Sequence, residues 1–195
     1  MPEHIIFHSR GRQLAILSNF APHSFALDGK RFSCGESFFH FAKFGAAAKV
    51  YAAASKPDEL ARRERLTAHA SKFADSELSG LAAKRMGGKG PQGLRLEGAE
   101  LQAWDAQRDE VQRLICTARL SQGDAAAEVA RALIGSGDAV LVHFERGARP
   151  DTYWGGKVVQ AESGESRIVG QNVLGNMWME QRALLLKRQA PNPAA

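Results

Sequence analysis

The stretch from Leu17 to Lys43 is the one around which this chain is organised. It leads through Leu17-Ser18-Asn19-Phe20 and a turn at Asp28-Gly29 into Ser33-Cys34-Gly35-Glu36-Ser37-Phe38-Phe39-His40-Phe41-Ala42-Lys43, a segment crowded with phenylalanines. Read as a helix from near Ser33 to about Ala48, offsets of four and seven share a face, so Glu36, His40 and Lys43 project together. An acid, an imidazole and an amine then line one edge. Ser33 and Glu36 also have the Ser-x-x-Glu spacing of a capping box, which gives the acid a purely structural account.

Ahead of this segment, His4–Phe7 and Leu14–Leu17 are short apolar runs around Ser9-Arg10-Gly11-Arg12, and they predict a β-hairpin. Ser24–Leu27 predicts a further strand, turned at Asp28-Gly29 and returning through Arg31-Phe32. Beyond it, a helix is expected to begin at Pro57 and another to run from Ser76 to Met86 with Leu78, Leu81 and Ala82 buried. Gly87-Gly88-Lys89-Gly90-Pro91-Gln92-Gly93 lacks the Gly-Lys-Ser/Thr ending of a phosphate loop, so it reads as a mobile connection. One long helix is expected from about Glu100 to Ser121, with Trp104, Val111, Leu114, Ile115 and Ala118 as its apolar stripe. Ala125–Ile134 predicts a helix and Ala139–Phe144 a buried strand. Val158–Val169 reads as a polar excursion. The last helix opens after Asn172, a natural N-cap, and carries Leu174, Met177, Trp178, Leu184 and Leu185 inward. Pro191 and Pro193 mark a disordered tail over residues 189–195.

A chain of 195 residues, 44% hydrophobic, supports one core. Its net charge of +5 is interspersed rather than gathered in a run, which suits a small anionic ligand as well as nucleic acid. Two isolated cysteines, Cys34 and Cys116, give no metal or redox spacing and fit a reduced, cytoplasmic setting. No stretch approaches the roughly 18 apolar residues of a membrane span, and the N-terminus has no signal-peptide core, so a soluble protein without a membrane partner is expected.

Four blocks in order, Leu17-Ser18-Asn19-Phe20, Glu36 with Lys43, Asp151-Thr152-Tyr153-Trp154-Gly155, and Gly170-Gln171-Asn172-Val173-Leu174-Gly175, resemble the NADAR, or YbiA-like, family. Further matches fall at Trp104, Arg108, Gly137-Asp138 and Met179 to Arg182, so the resemblance spans roughly Ile16 to Arg182. His143 stands where the family often has a glutamate, and Arg119 where it usually has a lysine. The Gly87–Gly93 segment and the excursion after Gly156 are particular to this chain. The resemblance implies a predominantly α fold, bordering on α+β, in which a single YbiA-like domain over residues 1–188 carries a small β-element. It also implies N-glycosidase activity and NAD or ADP-ribose chemistry.

Cleaving a base–ribose bond passes through an oxocarbenium-like state, so the site needs negative charge and a means to deliver water. Glu36 is the first choice for that work; Asp151 is the second, orienting a ribose hydroxyl or sharing the acid/base chemistry. Lys43 suits a phosphate as a point charge or, with its amine neutral, attack on the sugar to form a Schiff base. Trp154, in a glycine-bounded loop, suits base stacking or plugging the core edge. Asn19 has the amide to read a base edge or to close an Asx turn. Ser18, Phe20, Arg85, Gly155, Asn172 and Arg182 complete the expected binding residues, with Arg182 alternatively closing a structural ion pair. His40 is assigned to packing or support. The scheme uses no cofactor and no metal. The expected partner is an ADP-ribosylated nucleobase such as ADP-ribosyl-guanine, or a nucleotide-like small molecule, and a modified nucleic acid is a further class. A ribosylaminopyrimidine intermediate of riboflavin synthesis is the alternative substrate, and a non-catalytic ADP-ribose-binding module the alternative class; the oligomeric state is left open.

Overall fold

The computed structural model describes residues 3–74, 77–88, 90, 93–123, 125–161 and 164–189. In chain order these form β1 (His4–Phe7), a 3-10 turn (Ala15–Leu17), β2 (Phe25–Leu27), β3 (Lys30–Phe32), α1 (Gly35–Lys49), α2 (Pro57–Ser71) and α3 (Gly80–Gly87). There follow α4 (Gly98–Asp105), α5 (Arg108–Ser121), α6 (Ala126–Gly135), β4 (Val140–His143), β5 (Lys157–Gln160), β6 (Ser166–Val169) and α7 (Val173–Gln189). Among the described residues the fold is thus predominantly helical, with short strands paired two by two. Two compact units result, one from the chain's two ends, up to Ser18 and from Ala126 onward, the other from Asn19–Ala125.

In the middle unit, α1 is the hub: α2, α3, α4 and α5 all pack against it. Its phenylalanines explain why. Phe38 and Phe44 are buried, Phe44 stacks on Phe73 at 5.7 Å, and Phe39 meets Trp104 edge-on at 4.8 Å. β2 and β3 form the expected hairpin, and both turn residues, Asp28 and Gly29, take positive φ (51° and 69°), the geometry of a type I′ turn. Pro57 opens α2 as expected, its missing N–H costing nothing in the first turn.

The expected long helix is broken in two. Gln107 leaves helical geometry (φ −124°, ψ −8°), which lets buried Glu100 of α4 pair with Arg62 at 2.6 Å while Gln112 of α5 faces Asn19. Leu114 and Leu81, both expected inside, are exposed. α3 begins at Gly80, capped by the Ser79 hydroxyl, later than expected; Ser76 lies outside the described residues. Arg119 is fully buried, and burial pushes its guanidinium down to about 10, with the Cys116 and Cys34 thiols nearby.

In the end unit, β1 pairs with β4 in parallel, His4 opposite Val140, and not with residues 14–17. The expected hairpin fails because Leu14 turns left-handed (φ 48°) and Ala15–Leu17 coils into the 3-10 turn. The segment expected to be a polar excursion is a β-hairpin, β5 with β6, in which Val158 lies opposite Ile168; each strand is a short apolar pair set among polar residues, which hides it in the sequence. Trp178 of α7 is fully buried and donates its indole N–H to the Leu17 carbonyl at 2.9 Å. Leu174 and Met177 join it inside, whereas Leu184 is exposed. A Cβ on Gly175 would overlap the Leu141 carbonyl, so α7 approaches β4 closely there. Pro191 and Pro193 lie outside the described residues, as do Lys89, Pro91 and Gln92 of the glycine-rich connection. Among the described residues no helix is long and apolar enough to cross a membrane.

Candidate active site

Glu36 sits in the first turn of α1, where the unsatisfied N–H groups favour a carboxylate. It does not act in a capping box. The N-cap is Cys34, without a side-chain cap bond, and the Ser33 hydroxyl donates instead to the Leu78 carbonyl and meets Ser37 at 3.2 Å. The carboxylate therefore has no part in closing its own helix. Its Oε1 takes His40 Nε2 at 3.1 Å and Lys84 Nζ at 3.5 Å, and the residue is only 5% exposed. Glu36 N–H is anchored on the Asn19 carbonyl at 2.9 Å.

Burial by itself pushes the Glu36 carboxyl up, but the His40 hydrogen bond and the Lys84 charge outweigh it and hold the group below its ordinary value of 4.5. Burial likewise holds the His40 imidazole below its ordinary 6.5 despite the pull of Glu36, with the Lys43 and Lys84 charges acting in the same sense. Since a carboxylate only accepts, neutral His40 carries its proton on Nε2, and buried Nδ1 is left with no hydrogen-bond partner among the described residues. The ring is wedged between Phe73 and Phe39, and a Cβ on Gly87 would overlap it.

Lys43, half-buried two turns along α1, donates to the Gly87 carbonyl at 2.8 Å, and His69 of α2 shares a hydrogen bond with the Met86 carbonyl at 3.0 Å. These two side chains satisfy carbonyls that the end of α3 leaves open. The helix is thereby fixed against α1, and Lys84 is brought over Glu36.

These shifts have a consequence for stability. His40 binds a proton less readily folded than unfolded, so below about pH 6.5 the unfolded chain takes up protons that the native state refuses, and stability falls as pH falls. His69 acts in the same sense. The depressed Glu36 adds stability that is complete above its ordinary value and is lost as pH drops through its folded one. Urea midpoints are expected to decline steadily from pH 7 to pH 4, and His40→Gln to flatten the upper part of that slope; equal slopes in the two proteins would contradict the assignment.

The remaining residues expected at the site divide between the units. In the middle unit, the Asn19 amide is engaged with Gln112 in both directions, at 2.8 and 3.1 Å, and Gly35 leaves room for the pair. Arg85 is exposed on the last turn of α3. Phe20 is half-buried at a cleft of about 380 Å³, lined also by His23, Ser33, Cys34, Ser79 and Gly80; Glu36 does not line it.

In the end unit, Ser18 is buried and closes the 3-10 turn. Carbonyls of the Asp151–Gly155 loop accept the opening N–H groups of α7: Thr152 from Gln171, Tyr153 from Val173, Trp154 from Leu174 and Gly155 from Asn172. The two distant sequence blocks are thus one structural unit. Trp154 is half-buried, edge-on to Tyr153 at 5.0 Å. Asp151 is exposed beside Arg149 at 3.4 Å. Asn172 is not a side-chain cap: in left-handed geometry (φ 52°) its amide accepts from His143 N–H at 2.9 Å and donates to the Leu141 carbonyl at 2.8 Å. Arg182 closes no ion pair with these groups; it donates to Ser136 Oγ and the Ala139 carbonyl at 2.7 and 2.9 Å.

Residues 6–186 match the model of the NADAR domain family. The chain belongs to the NADAR family. This family is associated with N-glycosidase activity. Among solved structures, the NMR structure of the E. coli protein YbiA is similar, with 25% identity, a TM-score of 0.59, and coverage of 100% of this chain and 93% of that one. No curated protein sequence matches. Within this NADAR chain, inspection of sequence missed Lys84 and Gln112. Neither has a local signal, because each reaches a partner distant in sequence, Lys84 from α3 to Glu36 and Gln112 from α5 to Asn19.

Proposed function

We propose that this protein is an N-glycosidase that hydrolyses the base–ribose bond of an ADP-ribosylated nucleobase, with Glu36 acting at the anomeric carbon. The observation that carries the reading is a nearly buried carboxylate that its surroundings keep ionised and that has no capping duty. As the C1–N bond lengthens, positive charge develops on the sugar, and an ionised carboxylate stabilises it. Water then adds to C1, its proton passing to Glu36, while the departing base nitrogen takes up a proton from solvent and Glu36 later returns its own to solvent. Neutral His40 fixes the carboxylate by its Nε2–H. In this reading Asp151 orients a ribose hydroxyl, Trp154 stacks on the base, and Ser18, Asn19, Phe20, Arg85, Gly155, Asn172 and Arg182 contribute contacts. The Asn19 amide would first have to leave Gln112.

The test is incubation with ADP-ribosyl-guanosine and, separately, with ribosylaminopyrimidine phosphates, quantifying released base. Cleavage of the first supports the reading; cleavage of only the second transfers the same chemistry to the other substrate. ADP-ribose binding without turnover of either would make the protein a binding module. Borohydride in the reaction separates the two roles of Lys43. A reduced sugar adduct at Lys43 assigns it as the attacking amine, and turnover without an adduct leaves it as a charge that holds the end of α3.

A further inference from the structure

Two groups hold the same oxygen of Glu36, and they differ in how firmly they are placed. His40 is packed between aromatic rings and against Gly87, with a side chain 4% exposed. Lys84, whose side chain is 60% exposed, reaches Oε1 at 3.5 Å from the last turn of α3, beside exposed Arg85. An exposed ammonium on a flexible stem gains little from one such partner, so it is readily drawn to a stronger anion. A substrate with a diphosphate brings that anion.

We propose that Lys84 is a positioning residue that exchanges Glu36 for a phosphate of an anionic nucleotide substrate, so that binding frees the carboxylate for the sugar. The proposal rests on the N-glycosidase reading of Glu36 and adds to it a preference for phosphorylated substrates. While Lys84 sits on Glu36, the carboxylate is a poor proton acceptor; once Lys84 turns to phosphate, Glu36 becomes more basic, as taking a proton from water requires. Among the described residues, the groups that act on Glu36 are His40 on its own helix and Lys84 on α3; Lys43 acts in turn on His40, and both His40 and Lys43 act on His69 of α2. Lys84 alone among them combines contact with the carboxylate and an exposed side chain. It is therefore the one that substrate can withdraw.

The experiment compares the full-length wild type with Lys84→Met and Lys84→Arg, following the Glu36 carboxyl by NMR in protein carrying 13C-labelled glutamate, with and without saturating ADP-ribose. In the wild type the Glu36 midpoint is expected to rise when ADP-ribose binds. In Lys84→Met it should already be raised, and ADP-ribose should move it less; Lys84→Arg should behave as wild type. In turnover, Lys84→Met should raise KM about tenfold for the phosphorylated substrate, the size of one lost charged hydrogen bond, and leave KM for its dephosphorylated counterpart unchanged. A merely structural role for Lys84 would lower the melting temperature without that split. Equal Glu36 midpoints in wild type and Lys84→Met, an equal rise with ADP-ribose in both, or no response of the wild type to ADP-ribose would each overturn the proposal. If the NMR behaviour holds but neither substrate is cleaved, only the glycosidase reading fails.

Discussion

Glu36→Gln is expected to lower kcat for base release by about 10²–10⁴-fold, the usual range for loss of a positioned acid or base. The substitution keeps the shape of the side chain, and the amide oxygen can still accept the His40 Nε2–H that the carboxylate accepts at 3.1 Å. What disappears is the negative charge, together with the capacity to take a proton. KM should change little, because the interaction is stronger in the transition state than with bound substrate. Stability at neutral pH should hold or fall modestly: the surroundings keep the Glu36 carboxyl below its ordinary value despite burial, so the substitution removes a stabilising charge, while the amide avoids the desolvation cost of an ion buried to 5% exposure. Steady-state kinetics and a thermal melt on the same preparations check both halves. A large loss of activity with at most a small fall in melting temperature is the expected pair.

The second large effect falls on the frame that holds the acid. In Gly87→Ala the added methyl would overlap the His40 ring, which cannot retreat because Phe73 and Phe39 enclose it. The end of α3 must then move outward, loosening the Lys43 bond to the Gly87 carbonyl and the His69 bond to the Met86 carbonyl. Overpacking of this kind costs about 3 kcal/mol, at the upper end of its usual range. For a chain of 195 residues that corresponds to a fall in melting temperature of roughly 6–12 °C. Gly88→Ala, whose Cβ would lie 3.0 Å from the Lys84 carbonyl, is a milder change on the same segment and should cost less. If the two variants melt alike, the packing of Gly87 on His40 is not what sets the end of α3.

Local signals carried much of the way from sequence to structure. Asp28-Gly29 gave its turn, Pro57 its helix start, and the phenylalanine-rich segment the helix that every other helix of the middle unit contacts. Partners distant in sequence were not legible. β1 pairs with β4 across most of the chain, because a parallel partner is never the next segment. The Asn19–Gln112 amide pair joins residues 93 apart. The break at Gln107 was hidden because a good apolar stripe continued through it, and only the separate anchoring of Glu100 and Gln112 shows why it is there. At the site, offsets of four and seven brought Glu36, His40 and Lys43 to one face. The capping-box spacing with Ser33 misdirected, since the hydroxyl of Ser33 turns to Leu78 and leaves the acid to His40 and Lys84. Lys84 could not be found by spacing, for it comes from a helix that α2 separates from α1.

The assignment of Glu36 is tested most directly by single-turnover release of base from ADP-ribosyl-guanosine, with enzyme in excess, measured against pH for wild type and Glu36→Gln. The expected wild-type rate is flat near neutrality and falls on the acid side as Glu36 takes up a proton. In Glu36→Gln that acid limb should vanish along with most of the rate. A rate and an acid limb that both survive the substitution would contradict Glu36 as the group that acts at the anomeric carbon.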